Sequence, residues 1–209
     1  MSGTDWVDRW VGILVEQVLH VNLVQWEPFE PTPAFYANLG SGDEGDVAIA
    51  AREIGSFLLL PVVPSVTYEW GIRMSPQTAG QIHMLQDRKS HIQIPLYYVG
   101  KPHALGAILA HELAHERLAS TAGARYASVE EMERVTDLAS VVLGLGKLVL
   151  NGLITEVAPP TGERQVLGYL SPDLVAHGYR CMTRRCGIAD NLVRRNLTEA
   201  AVALVFQVP

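Results

Sequence analysis

Apolar residues recur at three- and four-residue steps through positions 5–20 (Trp6, Val7, Trp10, Val11, Leu14, Val18, Leu19), which predicts a helix with one buried face. From 27 to 46 the periodicity stops, and Pro28, Pro31 and Pro33 with a glycine-rich end predict a loop. Good helix formers return over 46–60 and predict a helix that stops near Gly55. The β-branched and aromatic run at 62–72 predicts a strand. Residues 80–86 and 91–99 flank the polar turn Asp-Arg-Lys-Ser, and His91-Ile92-Gln93-Ile94 alternates polar with apolar, so this pair predicts a β-hairpin.

Beyond Gly100 the pattern turns helical. Pro102 suits a first helical turn, and Leu105, Ile108, Leu109 and Leu113 give a period near 3.6, predicting a helix over 103–119. A second helix starts after Ser128, where Ser-Val-Glu-Glu has the form of a capping box, and runs to about Leu150 before Asn151-Gly152 stops it. Ser171-Pro172 opens another helix, and a last one covers about 190–206. No internal repeat or linker composition interrupts this succession, which predicts a single domain over 1–209. The fold class expected is α+β, with a small, mostly antiparallel sheet of about three strands packed on a bundle of about five or six helices.

Composition adds exclusions. The most apolar windows are 57–66, broken by two prolines, and 138–154, which contains Lys147 and falls short of the ~20 residues of a spanning helix. Both predict buried core and no membrane partner. Asp5 and Asp8 on either side of Trp6, with no small-residue cleavage site, do not make a signal peptide, so a cytoplasmic location is expected. A net charge of −6 argues against a role driven by phosphate contacts, and no nucleic-acid partner is expected. Cys181 and Cys186 are too few for a disulfide framework and fit a reducing compartment. A bridge between them, or a metal role with His177 in the spacing H-x3-C-x4-C, is disfavoured.

The candidate chemistry lies in "HELAH", residues 111–115. Residues four apart share a helix face, so His111 and His115 can reach one ion while Glu112 stands one step around, beside it. Two neutral imidazoles holding Zn²⁺, with a carboxylate placed to take a proton from a zinc-activated water, form a coherent hydrolytic set. One helix face cannot complete a tetrahedral site, so a third ligand must come from elsewhere. "ERVTD", residues 133–137 on the next predicted helix, places Glu133 and Asp137 four apart on one face. Glu133 is the first candidate for that ligand, Glu130 and Glu131 being the competitors. Asp137 then stands behind, accepting the other ring N–H of a ligating histidine, most plainly His111. His20, His83 and His103 read as ordinary packed or surface residues.

The pair H-E-x-x-H and E-x-x-x-D resembles the gluzincin clan of zinc metallopeptidases, specifically the minigluzincins and ImmA/IrrE-like domains. The resemblance covers about residues 60–150, and the continuation "TDLASVVLGLGKLVLNG…LGYLSP" is similar to bacterial proteins of unassigned role with the same two motifs. It implies a zincin-like active-site helix over 103–119, zinc as cofactor, a protein or peptide substrate, and hydrolysis of a peptide bond. It also implies that the strand near 91–97 is an edge strand on which an extended peptide adds, with His91 or Gln93 lining the cleft. Larger gluzincins supply a His, Tyr or Arg beyond the third ligand to stabilise the oxyanion. No such motif is evident here, and His177, Tyr179 and Arg180 in "HGYRC" are the candidates, each with helix packing as its plain alternative. The competing function is a non-catalytic zinc-binding regulatory or protein-interaction module. An intact Glu112 speaks against it, because a structural zinc site has no use for a general base.

Overall fold

The computed structural model describes residues 2–69, 81–84, 90–121, 126–156 and 164–207. Helix α1 (Gly3–Ile13) starts at a reciprocal capping box, in which Ser2 Oγ accepts from Asp5 N and Asp5 Oδ2 accepts from Ser2 N. It runs on into a wider π-type turn at Leu14–Val18, so the helix expected over 5–20 is present with a loosened last turn. The loop expected over 27–46 contains a helix, α2 (Pro33–Gly40). Thr32 caps it by accepting from Phe35 N, Pro33 occupies its first turn, and Phe35 and Leu39 anchor it four residues apart. The prolines were thus partly a start signal rather than loop composition.

Helix α3 (Glu44–Phe57) runs through Gly55, and just past its end Leu59, with φ 54°, turns the chain so that Leu60 N reaches back to Gly55 O at 2.9 Å. Three strands follow: β1 (Ser65–Glu69), β2 (Gln81–Met84) and β3 (Ser90–Pro95). The sheet order is β1-β3-β2. β2 and β3 form the expected antiparallel pair, but β1 runs parallel to β3, from Ser65 opposite His91 to Glu69 opposite Pro95. The α+β class stands and the mostly antiparallel sheet does not, since a parallel pairing makes up half of this mixed sheet. Residues 70–72 of the predicted strand, residues 80, 85 and 86 of the predicted hairpin, and the turn at 87–89 lie outside the described residues.

Helix α4 (Pro102–Ala119) is the centre of the molecule. Leu105, Ile108, Leu109 and Leu113 are buried on one side, and Ala104, Ala107, Ala110 and Ala114 let neighbours approach on the others. Against it pack α2, α5 (Val129–Ser140) and α6 (Gly146–Gly152). The single helix expected from 129 to 150 is broken at Val141–Leu145 by a wide turn in which Gly144 has φ 95°. A Cβ there would lie 2.9 Å from Glu27 O and 3.0 Å from the Phe57 ring, and Gly144 O accepts from Phe29 N at 2.9 Å. The helix therefore opens so that the backbone at 27–29 can dock into it. Taken end to end, Val129–Gly152 is 24 residues, longer than the sequence window suggested, and long and apolar enough to cross a membrane by those two measures. Here 94% of its apolar window is buried inside the fold, as a core helix would be.

A short hairpin, β4 (Ile154–Glu156) and β5 (Arg164–Val166), leads to α7 (Pro172–Arg185). The final helix expected over 190–206 is two: α8 (Asp190–Arg194) and α9 (Glu199–Gln207). Asn151 stands against the break, donating to Asn196 O and accepting from Thr198 N, each at 2.8 Å.

Candidate metal centre

His111, Glu112 and His115 project from the C-terminal half of α4, where the all-round apolar surface of the helix gives way to polar positions. Facing them, α5 begins at Ser128, which caps the helix by accepting from Glu131 N, and presents Glu133, Thr136 and Asp137. Ser140 Oγ ties the two helices further down by donating to Ala110 O at 3.3 Å. The histidines and Glu133 are mostly buried, with side chains 16–18% exposed.

Three atoms converge. His111 Nε2 and His115 Nε2 are 3.1 Å apart, and Glu133 Oε2 is 3.1 Å from the first and 3.0 Å from the second. Ligands at about 2.0–2.2 Å in a tetrahedron around zinc lie about 3.3–3.5 Å from each other, so this triangle is nearly one face of such a site. The hydrogen bonds on the far side of each ring say what the converging atoms carry. His111 Nδ1 faces Asp137 Oδ1 at 2.8 Å, and a carboxylate can only accept, so Nδ1 keeps its proton, and it is the Nε2 proton, shared with Glu133, whose loss would offer a lone pair. His115 Nδ1 faces Thr136 Oγ1 at 3.3 Å. That hydroxyl already donates to Met132 O at 3.0 Å, which leaves it to accept from His115 and turns the second Nε2 lone pair inward. Two imidazole nitrogens and a carboxylate oxygen meeting at 3 Å need positive charge between them, a proton or a cation, and the residues fit a divalent metal.

Electrostatics agree with this need for positive charge. Burial pushes His111 down, but its bonds to Asp137 and Glu133 outweigh burial and hold it well above the usual range for histidine. Burial pushes Glu133 up, and the facing histidines bring it down to about 2. Glu112 is 5% exposed, and burial raises its carboxyl against the opposing pull of His111 and His115. A carboxylate made more basic by burial beside a metal position is better suited than an exposed one to accept a proton.

Asp137 does more than orient His111. Its Oδ2 accepts from Tyr169 N at 2.6 Å and from Leu170 N at 2.8 Å, which fastens the segment before α7 onto the site. Gly168 makes that approach with φ 91°, and a Cβ on it would stand 2.9 Å from Asp137 Oδ2. The Tyr169 ring stacks on His111 at 6.1 Å between centroids and 24° between planes. Burial first, and then the nearby Glu133, Asp137 and Glu112, push its phenol up to about 12, so it is a neutral donor at physiological pH. Neither Tyr169 nor Thr136 was singled out from the sequence. The signal available for Tyr169 was Gly-Tyr-Leu before a Ser-Pro helix start, and nothing in that spacing ties it to Asp137, 32 residues earlier.

The other expected site residues lie elsewhere. Tyr179 is fully buried where α7 crosses α6, its ring against the Cα of Gly146, and Glu30 is the charge it feels. His177 bonds to Asp8 on α1 at 2.9 Å. Arg180 donates to Asp190 at 3.0 Å and covers the Phe206 ring. All three are corrected from oxyanion candidates to residues that hold α7 to its neighbours. His91 and Gln93 are likewise engaged within the sheet, His91 with Ser65 and Thr67 at 2.7 and 2.9 Å, and Gln93 with Glu69 at 3.1 Å. Because β3 is the central strand, 91–95 is not the edge on which a peptide could add. Cys181 and Cys186 are both free thiols. Burial and the bond to Asp8 push Cys181 up to about 12. No protein-family model matches the chain, and neither a curated protein nor a solved structure is significantly similar to it.

Proposed function

We propose that the protein is a zinc-dependent hydrolase of the metallopeptidase type, cleaving a peptide bond in a protein or peptide. The observation that carries this reading is the triangle of His111 Nε2, His115 Nε2 and Glu133 Oε2 with a buried, raised Glu112 beside it. The resemblance of "HELAH" and "ERVTD" to gluzincin motifs supports it, and on that reading α4 is a zincin-like active-site helix.

What zinc supplies when bound is Lewis acidity, acidifying a water and polarising the scissile carbonyl. His111, His115 and Glu133 would hold it, three protein ligands leaving a fourth position open. Glu112 takes the proton of the attacking water and returns it to the leaving amine. Asp137 keeps His111 in the tautomer that offers Nε2. The Tyr169 phenol, in place of the residues of α7, donates to the oxyanion as charge develops on it.

The test is Glu112→Gln. The variant should retain one zinc per chain at the centre and lose about 10²–10⁴-fold of its peptidase activity, read on a peptide library by mass spectrometry. Cleavage that persists undiminished in the variant removes Glu112 as the base. Wild-type protein that holds zinc and cuts no peptide or protein returns the chain to a non-catalytic metal-binding module.

A further inference from the structure

Helices α1 and α7 lie side by side, and where they meet Asp8 of α1 faces His177 and Cys181 of α7. His177 and Cys181 are four apart and share a face of their helix. His177 Nε2 stands 2.9 Å from Asp8 Oδ1, Cys181 Sγ donates to the same oxygen at 3.0 Å, and Sγ is 3.6 Å from Nε2. All three donor atoms lie within 4.8 Å of one another. We propose that Asp8, His177 and Cys181 form a second metal site, taking zinc or a similarly borderline divalent ion and clamping α1 to α7.

The donor set and its spacing carry the inference. A sulfur, an imidazole nitrogen and a carboxylate oxygen are the three ligand types that zinc accepts. Around a tetrahedral zinc a sulfur and a nitrogen lie about 3.5 Å apart, and a nitrogen and an oxygen about 3.3 Å. The Sγ to Nε2 distance already matches, and Asp8 needs to withdraw by only a few tenths of an ångström. It has room to do so, because its side chain is 52% exposed against 19% for His177. The exposed side also gives an ion its path in and a water its place as fourth ligand. On binding, the Cys181 thiol proton passes to solvent, His177 gives up its Nε2 proton and keeps or takes one at Nδ1, and the hydrogen bonds of Cys181 and His177 to Asp8 give way to one bond from each of the three residues to the ion. Burial and Asp8 hold the Cys181 proton in place without an ion, and Arg184 and Arg185 oppose them only weakly, so the charge that draws the proton off is the cation's own.

Cobalt(II) separates this site from the centre on α4 and α5, because only a thiolate ligand gives a sulfur-to-cobalt charge-transfer band in the near ultraviolet. Titrating metal-free protein with cobalt should fill two sites and produce that band. Cys181→Ser should lose the band and one equivalent of cobalt, Cys186→Ser should keep both, and Glu133→Gln should lose the other equivalent and keep the band. Far-ultraviolet circular dichroism checks that each variant is folded. Asp8→Asn, which leaves the thiol in place, should weaken the band-forming site on the order of tenfold or more. Absence of the band at saturating cobalt, or a band unchanged in Cys181→Ser, overturns the proposal whatever becomes of the peptidase reading.

Discussion

Replacing Asp137 by Asn keeps the volume of the side chain but swaps an accepting oxygen for a donating amide, at a group that accepts from His111, Tyr169 and Leu170 together. Whichever way the amide turns, His111 or the pair Tyr169 N and Leu170 N loses its acceptor. Zinc affinity should fall about 10–100-fold, measured by competition with a chromophoric chelator. The same residue sets a pH dependence. His111 is held above its ordinary range in the metal-free protein, so zinc must displace a proton at any pH below that raised value. Apparent affinity should therefore fall with acidity by about tenfold per pH unit for each proton displaced, beginning above the usual histidine range. In Asp137→Asn the onset should move to lower pH, because a bond that raises His111 is gone. A wild-type affinity flat between mildly alkaline and mildly acidic solution would contradict this account. At this scale the sequence was informative, since His111, His115, Glu133 and Asp137 are all placed by four-residue steps on two helices. Tyr169 was not legible, because its approach depends on a left-handed Gly168 and on two backbone bonds to a residue remote in sequence.

Elements are legible to the extent that their causes are local. α1, α4 and α7 each announce themselves by an apolar period and a start signal of Ser or Pro within a few residues. The parallel register of β1 on β3 has no local cause, because it depends on where the intervening chain delivers two strands, and the antiparallel expectation failed there. The opening of the helix between α5 and α6 depends on a partner more than a hundred residues earlier, although Gly144 itself was a visible clue. Gly144→Ala tests that account. It places a methyl against Glu27 O and the Phe57 ring at a φ that L-residues avoid, and should cost about 1–3 kcal/mol in urea unfolding. Zinc stoichiometry at the proposed centre should remain that of the wild type, since the proposed ligands stand on α4 and the first turns of α5.

The whole molecule is drawn together at a buried charge. Lys147 is fully buried on α6, donating to Glu30 at 2.6 Å and to Leu192 O at 2.8 Å. Glu30 also accepts from Arg195 at 3.2 Å and from Asn196 at 3.0 Å, so one carboxylate joins the segment before α2 to the middle and the end of the chain. Glu30→Ala strands the ammonium without its counter-charge and should destabilise by about 3–5 kcal/mol. Lys147→Met, which fills the same space with no charge and leaves Glu30 its surface partners, should be close to neutral in the same urea titration. Equal losses from the two variants would mean that packing rather than charge pairing holds this junction. The bonds from Tyr169 N and Leu170 N to Asp137 have a consequence of another kind. They wire two backbone amides to the carboxylate behind the proposed metal position, so in an isotope-labelled protein the resonances of these two amides should act as a built-in gauge of metal binding there, readable without any substrate in hand.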